Sequence, residues 1–171
     1  MATGNKQGFS LLELLVVLSL ITITALWIIP TYKTSLTQSE DHILSTQLLH
    51  AINTARNEAI TRGIPITLCQ SAHHEICSGQ WQDGQVILID DEPNTEKTIL
   101  YVFDRTFPGI LHWRSSLKHN YLRLLPAGEA EENGTFWYCH QNEKYPAWKI
   151  VVNKSGRPRL VNQLDSNLFP C

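Results

Sequence analysis

Charge of either sign is in short supply: 14 Lys+Arg stand against 16 Asp+Glu in 171 residues, a net charge of -2. With no molecule-wide positive field to attract nucleic acid, any such function must sit in a local patch. The chain also lacks a phosphate-binding glycine-rich loop ending in Lys-Ser/Thr, a Gly-x-Ser-x-Gly elbow and a His-Glu-x-x-His zinc helix, so no enzymatic activity and no cofactor is expected. No internal repeat or low-complexity segment is visible. At 43% hydrophobic and 18% charged residues the composition argues against wholesale disorder, and the length suits one modest domain. Cysteine is sparse but even in number: four suffice for two disulfides or one metal site, and the compartment decides between them.

The compartment follows from the N-terminus. From Phe9 to Ile29 the run FSLLELLVVLSLITITALWII carries one charge, Glu13, and is just long enough to span a bilayer as a helix. A secretory signal peptide would end at a small-residue cleavage site, whereas here Ile29 runs into Pro30-Thr31-Tyr32 and further helical pattern. The segment therefore reads as a retained transmembrane anchor. A lone carboxylate in hydrocarbon is costly and is kept where it has a partner, which marks Glu13 as functional.

Gly8-Phe9-Ser10-Leu11-Leu12-Glu13 followed by an unbroken apolar stretch resembles the class III signal of type IV prepilins and type II secretion pseudopilins. The resemblance implies that a prepilin peptidase cuts between Gly8 and Phe9 and methylates the new amine. It makes Glu13 the fifth mature residue, paired with the N-terminal amine of a neighbouring subunit. It further implies residence in the bacterial inner membrane, with the globular part periplasmic, before assembly with other major and minor pilins into a surface pilus.

Beyond the anchor, Pro30 should kink the helix without ending it. Leu44, Leu48, Ile52, Ala55 and Ala59 recur at helical spacing, and Gly63 and Pro65 should stop the helix after Arg62. Short β-branched or aromatic runs follow at Ile64–Cys69, Gln85–Asp90, Thr98–Phe103, Ile110–Trp113, Tyr121–Leu125, Gly134–Cys139, Trp148–Asn153 and Arg159–Asn162. The expected fold is α+β, a long N-terminal helix packed on antiparallel sheet. Its organisation is a leader at 1–8, a filament-core helix at 9–29, an amphipathic helix at 30–63 and a β-rich domain at 64–171.

Several motifs narrow the resemblance: Ala55-Arg56-Asn57-Glu58-Ala59 with Arg62-Gly63, Ile66-Thr67-Leu68-Cys69, Trp81 before Gly84, Phe136-Trp137-Tyr138-Cys139, and Ile150-Val151-Val152 before Ser155-Gly156-Arg157-Pro158-Arg159. Together they are similar to the FimT/GspH group of minor pilins and pseudopilins over nearly the whole chain. The Trp81-Gln82-Asp83-Gly84-Gln85 segment lacks the second tryptophan that the group often has after the glycine.

Cys69, His73, His74 and Cys77 have the residue types and spacing of a tetrahedral metal site, but an extracytoplasmic domain favours oxidised thiols. Of three possible pairings the expectation is Cys69–Cys77, closing a short loop, with Cys139–Cys171 tying down the C-terminus. Asn133-Gly134-Thr135 fits a glycosylation pattern, yet Asn-Gly reads more simply as a turn. Glu129, Glu131 and Glu132 just before it read as a solvated loop.

The C-terminal end is basic. From Lys144 to Cys171 the bases Lys144, Lys149, Lys154, Arg157 and Arg159 face Asp165 alone, whereas residues 73–104 hold seven acids and one base. Ser155-Gly156 signals a turn, and Pro158 pushes Arg157 toward an extended conformation. In an extended chain Arg157 and Arg159 project to one side, roughly 7 Å apart. Each offers a planar fork of donors suited to phosphate, beside a glycine that permits close backbone approach. On spacing alone the pair reads more simply as a solvated turn. Gly156-Arg157-Pro158-Arg159 resembles the Gly-Arg-x-Arg signature with which FimT-type minor pilins bind DNA in natural transformation, which implies a phosphate-gripping hairpin assisted by Lys154, Lys149 and Lys144. The same resemblance implies, as the alternative, a structural pseudopilin of a type II secretion system or a pilus-assembly initiator with no DNA role.

Overall fold

The computed structural model describes residues 10–72, 77–89, 98–104, 106–141, 143–161 and 168–171, with the side chains of 27–34 excepted. The processing residues Gly8 and Phe9, the histidines His73 and His74, and most of the acidic run between 73 and 104 lie outside the described residues. One helix, α1 (Leu11–Arg62), precedes eight strands, and the chain divides into two compact units, Met1–Glu40 and Asp41–Cys171.

In the first unit the helix carries apolar side chains on all sides from Leu11 to Leu26, nearly all of them exposed in the single chain. The hydroxyls among them are satisfied within the helix: Ser19 Oγ donates to Val16 O at 2.7 Å, Thr22 Oγ1 to Ser19 O at 2.8 Å and Thr24 Oγ1 to Leu20 O at 3.0 Å. Hydroxyls bonded in this way carry no unmet donor into apolar surroundings. Glu13 lies in the first turn and is exposed. Among the described residues no helix is long and apolar enough to cross a membrane. The stretch Leu11–Leu26 falls short of the about 20 residues a span needs. Both ends of the run expected at 9–29 fall outside the described side chains.

In the second unit α1 buries Leu44, Leu48, Ala51, Ile52, Ala55 and Ala59. The helix ends at Gly63, whose positive φ of 68° suits glycine and whose N–H donates to Ala59 O at 3.0 Å. The strands are β1 (Ile66–Gln70), β2 (Gln85–Ile89), β3 (Thr98–Phe103), β4 (Ile110–Ser115), β5 (Tyr121–Leu124), β6 (Gly134–Cys139), β7 (Trp148–Val152) and β8 (Pro158–Val161). They form two four-stranded antiparallel sheets, ordered β3-β2-β1-β5 and β4-β6-β7-β8. The division follows from β5, which leaves its sequence neighbours to pair with β1, placing Leu122 opposite Leu68 in the core.

The helix and both sheets share one core, to which the first sheet gives Ile66, Leu68, Ile87, Leu122 and Leu124, and the second Leu111, Phe136, Tyr138, Trp148, Ile150 and Val152. Trp81 packs edge-on to Phe136 with ring centroids 4.8 Å apart. The other face of the first sheet holds a small cluster of Cys69, Val86 and Leu88 with Tyr121 and Cys77 against it, so the Cys69–Cys77 disulfide covers apolar surface as well as closing a loop.

Two polar segments differ from expectation. Glu132 is buried, not solvated: its carboxylate accepts from Leu117 N at 2.9 Å and lies 3.0 Å from His119 Nδ1, tying the β4–β5 connection to the chain before β6. Asn133-Gly134 does not make a hairpin turn, because Gly134 opens β6 and its Cα faces the Trp113 ring, where a Cβ would collide. The local signal for a turn is real, but here glycine is selected by the indole lying over it.

Candidate functional site

Strands β7 and β8 form a hairpin whose turn, Asn153 to Gly156, is closed by a bond from Gly156 N to Asn153 O at 2.8 Å. Gly156 has a φ of 71°, and its Cα packs so closely on Gly128 that a Cβ would collide with the Gly128 carbonyl. Close approach by this glycine therefore serves docking of the hairpin rather than approach of a phosphate. Ala130 N donates to Lys154 O at 3.0 Å, and Arg56 Nε of the helix donates to Gly128 O at 2.8 Å. The turn is thereby braced through the β5–β6 connection to α1.

The side chains of Lys154 in this braced turn and of Arg157 and Arg159 just after it project into solvent and make no hydrogen bond or ion pair to the described residues. Arg159 lies opposite Val151 in the β7–β8 pair, and Val151 opposite Thr135 in the β6–β7 pair. Cross-strand neighbours share a face, so Arg159 belongs to the side of the second sheet turned away from the core.

The other two lysines are not part of this group. Lys149 is 8% exposed; its stem is buried in β7 and its Nζ lies 5.2 Å from the centre of the Phe169 ring. An amphipathic stem covered by an aromatic ring explains the burial of a charged residue. Lys144 is exposed but sits in the β6–β7 connection, at the end of β7 remote from the turn.

Phe169 is held by the C-terminal strap. Cys171 is bonded to Cys139 with Cα atoms 5.8 Å apart, Trp137 Nε1 donates to Pro170 O at 3.2 Å, and the Trp137 and Phe169 rings meet at 5.3 Å. Arg114 of β4, unmarked in the sequence reading, reaches the same strap. It donates to Leu168 O at 2.6 Å, with its guanidinium 4.9 Å from the Phe169 ring centre and 5.3 Å from that of Trp137. Beside it His112 stacks on Trp137 at 4.9 Å, and burial pushes its pKa down, disfavouring the charged imidazolium on this face. Among the described residues no group of His, Cys, Asp or Glu converges to hold a metal ion, and Cys69 and Cys77 are joined to each other.

A long helix that begins as an apolar run with an acid in its first turn and leads into two antiparallel sheets defines a pilin-like fold. The model of the prokaryotic N-terminal methylation motif matches residues 3–29, and that of the type II transport protein GspH matches residues 44–156. The chain belongs to the GspH family, whose members are minor pilins and pseudopilins. Among curated proteins none matches its sequence. Two crystal structures of the Pseudomonas aeruginosa type IV minor pilin FimU share its fold, with TM-scores of 0.53 and 0.51 at 17% and 19% identity, each covering 78% of this chain and 96% of theirs. The minor pseudopilin EpsH of the Vibrio cholerae type 2 secretion system aligns at 15% identity and a TM-score of 0.45, over 72% of this chain and 97% of its own.

Proposed function

We propose that this minor subunit, carried in a type IV pilus, binds extracellular DNA during uptake by gripping its phosphodiester backbone with Lys154, Arg157 and Arg159. The observation that supports this reading is the pair of exposed arginine forks, without protein partners among the described residues, on a turn braced to the helix through Gly128 and Arg56. A rigid mount removes part of the ordering cost of binding. Phosphate contacts position a protein on nucleic acid without reading sequence, so binding is indifferent to base composition. The apolar, internally satisfied surface of Leu11–Leu26 fits a life in the inner membrane and then in the filament core, with cleavage after Gly8, methylation of Phe9 by the prepilin peptidase and a neighbour's amine on Glu13.

A second reading is favoured by the family itself, which is described by type II transport: a structural pseudopilin or assembly initiator with no nucleic-acid role. Full-length protein in neutral detergent separates the two by fluorescence anisotropy with labelled duplex DNA across a salt series. Three phosphate contacts give a log–log salt slope of about -2.7. Replacing Arg157 and Arg159 together with Gln should nearly abolish binding while leaving the far-ultraviolet circular dichroism unchanged. Absence of wild-type binding at low salt, or undiminished binding by the folded double variant, sinks the DNA reading and leaves the structural one.

A further inference from the structure

The geometry points to a second anchor for the same ligand: Arg114, at the far end of a groove across the outer face of the second sheet, so that the nucleic-acid backbone runs across the strands from Arg159 to Arg114. This inference rests on the DNA reading above and extends its site. It follows from register. Arg159 faces Val151, Val151 faces Thr135 and Thr135 faces Arg114, which places the four in one cross-strand row on one face. The two arginines are three inter-strand steps apart, roughly 14 Å.

An open groove of about 350 Å³ starts at Arg114 and reaches along the row over Thr135 to Val151, the residue paired with Arg159, with Leu168 and Phe169 of the C-terminal strap as its wall. Arg114 is exposed, and its hydrogen bond to Leu168 O occupies one of its five donors. Its guanidinium lies against both the Trp137 and Phe169 rings, 5.3 and 4.9 Å from their centres, and these contacts with the Leu168 O bond set its direction before a ligand arrives. Among the described residues no acidic side chain belongs to the row or to the groove lining. A phosphodiester chain suits this arrangement: anion-accepting forks at both ends, and between them a small apolar floor with an aromatic wall against which a sugar or base can rest.

The test uses full-length protein in neutral detergent, with a labelled duplex and a labelled single strand of equal length. A fourth contact makes the wild-type slope about -3.6 on duplex, and R114Q should weaken binding about tenfold and make the slope shallower by about 0.9 on duplex or about 0.7 on single strand. R114K should restore the slope and recover part of the affinity. Loss on both probes identifies backbone in either form as the ligand; loss on the single strand alone identifies single-stranded DNA. If R114Q frees the strap, seen as a change in Trp137 fluorescence, T135K decides: a lysine in mid-row should tighten binding and steepen the slope by about 0.9. The row is overturned if R114Q keeps wild-type affinity and slope while R157Q/R159Q loses binding, or if T135K changes neither. If R157Q/R159Q itself binds like wild type, the hairpin reading has failed, which is a different result.

Discussion

Glu58 on α1 accepts two hydrogen bonds, from Arg62 Nε at 2.6 Å and from the Tyr101 hydroxyl of β3 at 3.0 Å. The Arg62 bond, with the Tyr101 bond behind it, holds the Glu58 carboxyl below its ordinary pKa of 4.5, and donating a hydrogen bond to that carboxylate raises the tyrosine above its ordinary 10.0. The signs set the window. A lowered carboxyl pKa gives stability present above the unfolded value and lost as pH falls through the folded one. A raised phenol pKa gives stability present below the unfolded value and lost as pH rises through the folded one. The contact is therefore complete from mildly acidic to mildly alkaline pH. Replacing Tyr101 with Phe should move the Glu58 titration upward toward its ordinary value, measured on the side-chain carboxyl carbon by NMR. An unmoved titration would show that Arg62 alone sets it.

At the scale of elements, the C-terminal strap is held by one covalent bond and a few contacts, so the bond is decisive. Changing Cys139 and Cys171 together to Ser reopens a loop with a sequence separation of 32, which on chain-entropy grounds costs about 3.7 kcal/mol. Urea unfolding should register the loss as a lower midpoint, and Phe169 should leave Trp137, reddening its fluorescence. Strand limits were readable to within two residues, because β-branched and aromatic runs alternate with turn residues at short spacing. The helix end was readable from Gly63 and Pro65, and its buried stripe from the spacing of Leu44, Leu48, Ile52, Ala55 and Ala59. What could not be read was pairing over distance. Nothing local says that β5 joins β1, that Glu132 meets His119 and the Leu117 amide, or that Phe169 comes to lie over Lys149. The same limit hid Arg114, whose place in the row depends on three successive registers, whereas Arg157 and Arg159 share a short stretch of chain and were visible from it.

For the molecule as a whole, a mature chain should begin at Phe9: N-terminal sequencing of membrane-extracted protein should find methylated Phe9, and a start beyond Ile29 would mean that the apolar segment is discarded. Glu13→Ala should be processed normally but recovered less in sheared filaments, because the carboxylate no longer meets a neighbour's amine. The brace from the hairpin to the helix has a mechanical meaning. If a bound polymer is pulled at the β7–β8 turn, one short path for the load leads through Lys154 O, Ala130, Gly128 O and Arg56 into α1. Along that path tension passes from the gripping turn to the helix in two polar contacts, bypassing the strands of the second sheet. A fold arranged in this way resists unzipping from its edge and delivers traction to α1, the element whose other end carries the apolar run from Leu11 to Leu26.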